Sequence, residues 1–340
     1  MKKLFNVIDK ITLRKKLSEE SFKRTTCSFY KYFNIKNLEL FRDHIYILCS
    51  NLGILGRIYV ANEGINAQIS VPNNNLKKLK KHLHEINELK NIKIKIGVED
   101  DGKSFEKLIV RTKSKIVADG LRIHNFDPTK VGKYLSPKKF NETMEENDSI
   151  VVDVRNHYET EIGIFEGAIS PNKDTFRQSL PKIKKILKGK ERKKILLYCT
   201  GGIRCEKASA YLKHHGFQDV NQLEGGIIEY AHQVKQKKIQ SKFKGKNFVF
   251  DKRLGEKVTE DIISNCHQCN KPSNSHTDCA FEPCHKLFIQ CKSCSMKYSG
   301  CCSIKCYESS KLSKEEIYEI KRQINNDKSV IQNKIKKTIF

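Results

Sequence analysis

The stretch Leu196 to Cys205, reading LLYCTGGIRC, constrains this chain more than any other. Ile195 to Tyr198 is a short apolar run suited to a buried strand. Glu206 to His214 carries Ala208, Tyr211 and Leu212 at helical spacing, so the chain must turn between the two. Cys199 therefore stands at the end of a strand. Gly201 and Gly202 lack the Cβ atoms that would keep successive backbone N–H groups from converging, which makes an anion-holding nest at the helix N-terminus. The partial positive charge of that helix end, with Arg204 close by, lowers the Cys199 pKa and populates its nucleophilic thiolate.

Four residues separate Cys199 from Arg204, one fewer than in tyrosine-phosphatase-like sites, and the smaller cradle suits one sulfur atom better than a phosphate. The loop resembles the rhodanese active site, in which the first cysteine carries a persulfide. A strand-turn-helix with an incidental buried cysteine is the plainer alternative. Cys205 has two readings: a resolving thiol that forms a disulfide or accepts a persulfide, or a small buried residue opening the helix.

At 340 residues the chain is expected to hold two or three domains. No apolar run approaches the roughly 18 residues needed to span a bilayer, so no membrane partner is expected. In MKKLFNVIDK, Asn6 and Asp9 interrupt what would be the apolar core of an export signal. With no such signal, thirteen cysteines argue for thiols and thiolate–metal sites in the cytoplasm rather than a disulfide framework. The net charge of +26 is spread over the whole chain; it permits a nucleic-acid partner without requiring one.

Residues 1–25 read as a polar lead-in without sustained periodicity. Residues 26–128 read as an α+β domain. CSFYKYF alternates as a strand, Leu38 to Leu52 is helical, and GRIYVANEGINAQISV forms two strands around Glu63-Gly64. A helix from Asn74 to Leu89 and a strand from Ile92 to Val98 complete βαββαβ, the order of a ferredoxin-like sandwich. Lys107 to Val117 adds one more strand. Arg57, Asn62, Glu63 and Asn66 cluster near the turn, either as an RNA-contacting edge resembling acylphosphatase-like sheets or as ordinary turn chemistry.

Residues 129–236 alternate strands and helices as an α/β domain with a central parallel sheet. Asp153 and Arg155, in VVDVRN, lie at the C-terminal end of a strand, where open α/β sheets place their sites, and are expected to support the Cys199 loop. In SKFKGKNFVFDKRLGEKV, Phe243, Phe248 and Phe250 interleave with lysines. This stretch is either a nucleic-acid track or a strand packing its rings on the preceding domain.

Residues 237–310 comprise this bridge and a cysteine-rich segment. Nine of the thirteen cysteines lie within 266–306. Two Cys-x2-Cys knuckles resemble a four-thiolate zinc site of Cys266, Cys269, Cys291 and Cys294, and of the five that remain Cys279, Cys284, Cys302 and Cys306 are assigned to a second. Large apolar residues are too few here to offset chain entropy, so structural zinc is expected to supply the difference. Residues 311–340 read as a charged helical tail with a solvated face.

The ferredoxin-like front with GRIYVANEGINAQIS, the rhodanese-like YCTGGIRCEKASAYL and LEGGIIEYA, the bridge GKNFVFDKRLGE and the tail CHQC, CHKLFIQCKSC and GCCS occur together. In this combination the chain resembles the bacterial tRNA uridine hydroxylase family, rhodanese-related proteins that convert the wobble uridine of tRNA to 5-hydroxyuridine with molecular oxygen. The resemblance implies that Cys199 is the catalytic cysteine and tRNA the partner. The electron donor is unknown from the sequence, which carries no dinucleotide fingerprint and no two-His-one-carboxylate arrangement. A persulfide sulfurtransferase, or a non-catalytic RNA-binding module, are the competing readings.

Overall fold

The structure is a computed structural model that describes residues 4–100, 102, 104–121, 127–237 and 239–324. It divides into two compact units, residues 1–260 and 261–340.

The first unit opens with α1 (Lys10–Ser18), capped by Asp9, whose carboxylate accepts from Ile11 and Thr12. The lead-in thus contains a helix that the pattern did not announce, because α1 leaves Ile11 exposed and has no continuous apolar face. Then follow β1 (Arg24–Tyr32), α2 (Leu38–Asn51), β2 (Leu55–Ala61), β3 (Gly64–Pro72), α3 (Leu76–Glu85), β4 (Lys95–Ile96) and β5 (Leu108–Thr112). The sheet order is β4-β1-β3-β2-β5, antiparallel except for β5, the strand read at Lys107–Val117, which runs parallel to β2 at the sheet edge. The β2–β3 turn requires Gly64, since a Cβ there would lie 2.1 Å from the Lys31 carbonyl oxygen.

One face of this sheet, with Phe29, Ile58, Ala67 and Ile69, packs on Ile45 and Cys49 of α2 and Leu79 and Leu83 of α3. Alternation sends Tyr30, Tyr59, Asn66 and Gln68 to the opposite face. Two expected elements are shorter than their patterns. The strand read at Ile92–Val98 keeps only two strand residues, since the chain turns at Asp100, which accepts from the Gly102 amide and the Thr26 hydroxyl. The helix read at Asn74–Leu89 is trimmed at both ends to 3-10 turns.

The rest of the first unit contains β6 (Lys133–Leu135), α4 (Pro137–Met144), β7 (Ser149–Asp153), α5 (His157–Thr160), β8 (Gly163–Phe165), α6 (Phe176–Ile186), β9 (Lys194–Tyr198), α7 (Ile203–His214), β10 (Asp219–Leu223), α8 (Gly226–Lys237), β11 (Phe243–Asn247) and β12 (Glu256–Lys257). Strands β6-β10-β9-β7 form a parallel sheet. Its strands read as continuous apolar runs because both faces are covered. Leu197 and Val152 face a core with α6 and α7, while Leu196 and Tyr198 face one with α4 and α8. The bridge packs on this domain: β11 pairs with β8 and β12, and Phe243 and Phe248 are buried, so neither ring is free to stack on a base. Phe250 stays 42% exposed.

The second unit holds a small hairpin, β13 (His276–Asp278) with β14 (Leu287–Ile289), then α9 (Lys292–Lys297) and α10 (Ile304–Ser309). A helix over 314–324 follows. It is not a purely solvated face, because Ile317 and Ile320 pack against Cys279, Phe281, Phe288 and Cys301. The remainder of the expected tail lies outside the described residues. Met296 and Ile304 are exposed, so this core is smaller than the count of apolar residues promised.

Candidate active site

The sequence that ends β9 and begins α7 builds the Cys199 loop. Gly202 has φ +97° and serves as the N-terminal cap of α7. Its amide donates to Cys199 Sγ at 3.1 Å. Behind the loop, the Ile227 and Ile228 amides donate to the Cys199 and Thr200 carbonyls at 3.0 and 3.1 Å. Gly226, with φ +70°, permits this approach: a Cβ there would lie 2.6 Å from Cys199 O and 2.8 Å from Gly202 N. The LEGG sequence is thus the wall against which the loop is moulded.

Cys199 is fully buried. Burial pushes its thiol up, but the Cys205 thiol, the Arg204 guanidinium and the amides of residues 204 and 205 outweigh it and bring the pKa down to about 5. The group is a thiolate at neutral pH. Cys205 is equally buried, and burial together with the neighbouring thiolate hold it well above the usual thiol range. It therefore stays a protonated thiol beside the Cys199 thiolate in the ground state.

Arg204 is committed elsewhere than to a ligand. Its Nη1 and Nη2 donate to Glu159 at 2.5 and 2.7 Å, and Nη2 also reaches the Thr200 hydroxyl at 3.3 Å. Glu159 is itself fixed by the Asn156 amide at 3.0 Å. Asp153 and Arg155 form a separate, fully buried pair, with Arg155 Nη2 donating to Asp153 at 2.7 Å and to the Gly163 carbonyl at 2.5 Å. They tie β7 to β8 beneath the loop, and the side chain that grips Arg204 directly is Glu159. Sequence reading passed over Glu159 because a glutamate in a polar helix looks like a surface residue.

The N-terminal sheet closes the site from the other side. The Tyr30 hydroxyl donates to Glu206 Oε1 at 2.9 Å, and a Cβ on Gly202 would lie 2.8 Å from that hydroxyl. Lys95 Nζ donates to the Gly201 carbonyl at 2.6 Å. Lys207 Nζ lies 2.5 Å from Glu63 Oε2, and Glu63 Oε1 accepts from the Ile116 amide, so this member of the turn cluster is structural. Arg57, which is exposed, and Asn66, which is half-buried, line the cavity between the sheet and the loop. Between the sheet and the loop lies a cavity of about 490 Å³ lined by Cys199, Tyr30, Tyr59, Gln68, Lys95 and Phe250 among others. The alternation in CSFYKYF carried the only sequence signal for Tyr30, which had to face away from buried Phe29.

In the second unit the sulfur atoms of Cys266, Cys269, Cys291 and Cys294 lie within 4.8 Å of one another, as do those of Cys279, Cys284, Cys302 and Cys306. Adjacent sulfurs approach to 3.6 Å for Cys269 and Cys291 and 3.7 Å for Cys284 and Cys302. Four thiolates around zinc at about 2.3 Å would sit about 3.8 Å apart, so both groups fit a tetrahedral ion. Cys301 belongs to neither.

Three family models match the chain: a UPF0176 acylphosphatase like domain over residues 24–116, a rhodanese-like domain over 136–233 and a rhodanase C-terminal segment over 244–307. A protein of Leptospira interrogans is 55% identical over 99% of this chain and 92% of its own length. Proteins of Pectobacterium carotovorum and Yersinia enterocolitica are 50% and 49% identical over 92% of this chain, and 88% and 90% of their own lengths. All three are named tRNA uridine(34) hydroxylase.

Proposed function

The chain belongs to the tRNA uridine(34) hydroxylase family, and we propose that it hydroxylates C5 of the wobble uridine with molecular oxygen, using Cys199 as the nucleophile. The observation that carries the residue assignment is the Cys199 thiolate on the wall of a cavity wide enough for a nucleobase. Aromatic rings on that wall supply flat apolar surface, and Gln68, whose Nε2 donates to Asn66 Oδ1 at 2.7 Å, supplies a side-chain carbonyl of the kind that pairs with a base edge. Phe250, edge-on to Phe248 and 5.8 Å below the Arg204 guanidinium, is the bridge ring that keeps an exposed surface for stacking.

The acceptor carbon needs activation, because C5 of uracil is not nucleophilic enough to meet an oxidant unaided. A thiolate adding at C6 supplies it. The role of Arg204 in this reading is to hold the loop and stabilise the thiolate, since Glu159 occupies both of its forked donors.

The two cysteine groups of the second unit take zinc as a structural ion. Each has four thiolates and so no open coordination position, which gives the ion no substrate to polarise. The positive field of the chain suits a tRNA partner and the cytoplasm where tRNA is modified. No helix among the described residues is long and apolar enough to cross a membrane.

Replacing Cys199 by Ser in the native host and measuring tRNA nucleosides by mass spectrometry tests the reading. Loss of 5-hydroxyuridine is expected. Unchanged 5-hydroxyuridine, in a host without a parallel route, removes Cys199 from the chemistry, and loss of a thiolated base instead would favour the sulfurtransferase.

A further inference from the structure

Lys95 belongs to β4, the edge strand of the N-terminal sheet, yet its ammonium ends beside the Cys199 loop. Nζ donates to the Gly201 carbonyl at 2.6 Å and lies 4.3 Å from the centre of the Tyr30 ring. It lines the same cavity as Cys199. Among the described residues it has no carboxylate within ion-pair distance; Glu206 and Glu229 act on it only from further away. A half-buried ammonium with no carboxylate partner is destabilising. Burial pushes its pKa down to about 8, against the opposing pull of Cys199, Glu206 and Glu229. The carbonyl of Gly201 uses one of its three N–H bonds, and two remain.

The addition step creates a demand that the loop does not meet. The sulfur lone pair forms the S–C6 bond, the C5=C6 π pair shifts, and the negative charge leaves sulfur for O4 as an enolate; nothing is oxidised or reduced. The Gly202 amide, the Cys205 thiol and Arg204 all favour charge on sulfur, which stabilises the starting state. Acceleration needs a positive group where the charge arrives.

We propose that Lys95, contributed by the N-terminal domain, is the catalytic residue that receives this charge, its ammonium hydrogen-bonding O4 of the target uracil as Cys199 adds to C6. The inference rests on the role proposed above for Cys199. It assigns the N-terminal domain a part in the chemistry as well as in enclosing the base.

The test uses the full chain and a tRNA carrying 5-fluorouridine at position 34, where addition to C6 leaves an adduct visible by mass without any oxidant. Wild type, Lys95→Met and Lys95→Arg are compared for adduct rate, tRNA affinity, Cys199 alkylation by iodoacetamide, and 5-hydroxyuridine content in host cells. Lys95→Met is expected to slow the adduct at least a hundredfold and lower cellular 5-hydroxyuridine, with tRNA affinity and alkylation within threefold of wild type. Lys95→Arg is expected to recover at least tenfold. An adduct formed by Lys95→Met at the wild-type rate overturns the proposal, as does a fall in alkylation or tRNA affinity as large as the fall in adduct rate. Wild type that hydroxylates native tRNA yet forms no adduct overturns the addition step and this role with it. Hydroxylation that survives Cys199→Ser instead overturns the underlying reading of Cys199.

Discussion

Glu159 and Arg204 face each other as a buried bidentate ion pair, at 2.5 and 2.7 Å, although they stand 45 positions apart in the chain. The pair anchors the Cys199 loop to α5. Burial pushes the Glu159 carboxyl up, but Arg204 and then Arg155 outweigh it and hold it below its usual range.

Removing one partner leaves a buried charge alone, so Glu159→Gln is expected to cost about 3–5 kcal/mol of stability, read from urea unfolding at pH 7. The pH dependence follows from the sign of the shift. A depressed carboxyl pKa stabilises fully above the unfolded value, about 4.5, and that contribution is lost as pH falls through the folded value. The wild-type curve should therefore drop more steeply below pH 4.5 than that of Glu159→Gln.

Alkylation of Cys199 as a function of pH should follow a thiolate half-formed near pH 5, and the rate should be flat from pH 6 to 8. Cys205→Ala removes the S–H donor while preserving a small buried side chain. Its alkylation midpoint is expected to rise by on the order of one pH unit, the effect of losing a hydrogen bond to a charged group. An unmoved midpoint would show that Cys205 does not donate to Cys199.

Gly226→Ala sets a Cβ against Cys199 O, Thr200 O and Gly202 N at a left-handed φ. The loop must shift, at a cost of about 1–3 kcal/mol in stability. Cellular 5-hydroxyuridine should fall at least tenfold in a protein that still unfolds cooperatively. Gly167→Ala, also at positive φ but with open space around its Cβ, is the control and should retain hydroxylation.

Elemental analysis of protein purified anaerobically should find two zinc ions per chain. Chelation should expose residues 261–310 to hydrogen exchange and protease, because the core there rests on Phe281 and Phe288 with cysteines around them. Cys199 should keep its alkylation rate, since all its polar partners lie in the first unit.

The fold was legible where periodicity and turn chemistry agreed. The β2–β3 hairpin and the β9–α7 turn each combine an apolar pattern with a glycine that the geometry demands. Pairing between distant residues was not legible. Nothing local marks Glu159 as the partner of Arg204, or Lys95 as a neighbour of Gly201, because both contacts are fixed by how separate elements pack. Phe243 and Phe250 look alike in the sequence and differ in fate, since β11 pairing buries one and ends before the other. In the second unit, the spacing of the two Cys-x2-Cys knuckles singled out the Cys266, Cys269, Cys291 and Cys294 group, whose ligands are local in pairs, while the second group was assigned from the cysteines that remained.

Tyr30, poised above Gly202, also shapes the space in front of the thiolate. A sulfur nucleophile open to solvent would serve any small thiol or peroxide that collided with it. Under a ceiling of tyrosines, entry favours a thin, flat guest sliding in edge-on, and a nucleobase everted from an anticodon loop has that outline. The strand that carries Tyr30, set inside the front sheet between β4 and β3, thereby lays an aromatic roof over a sulfur-handling loop.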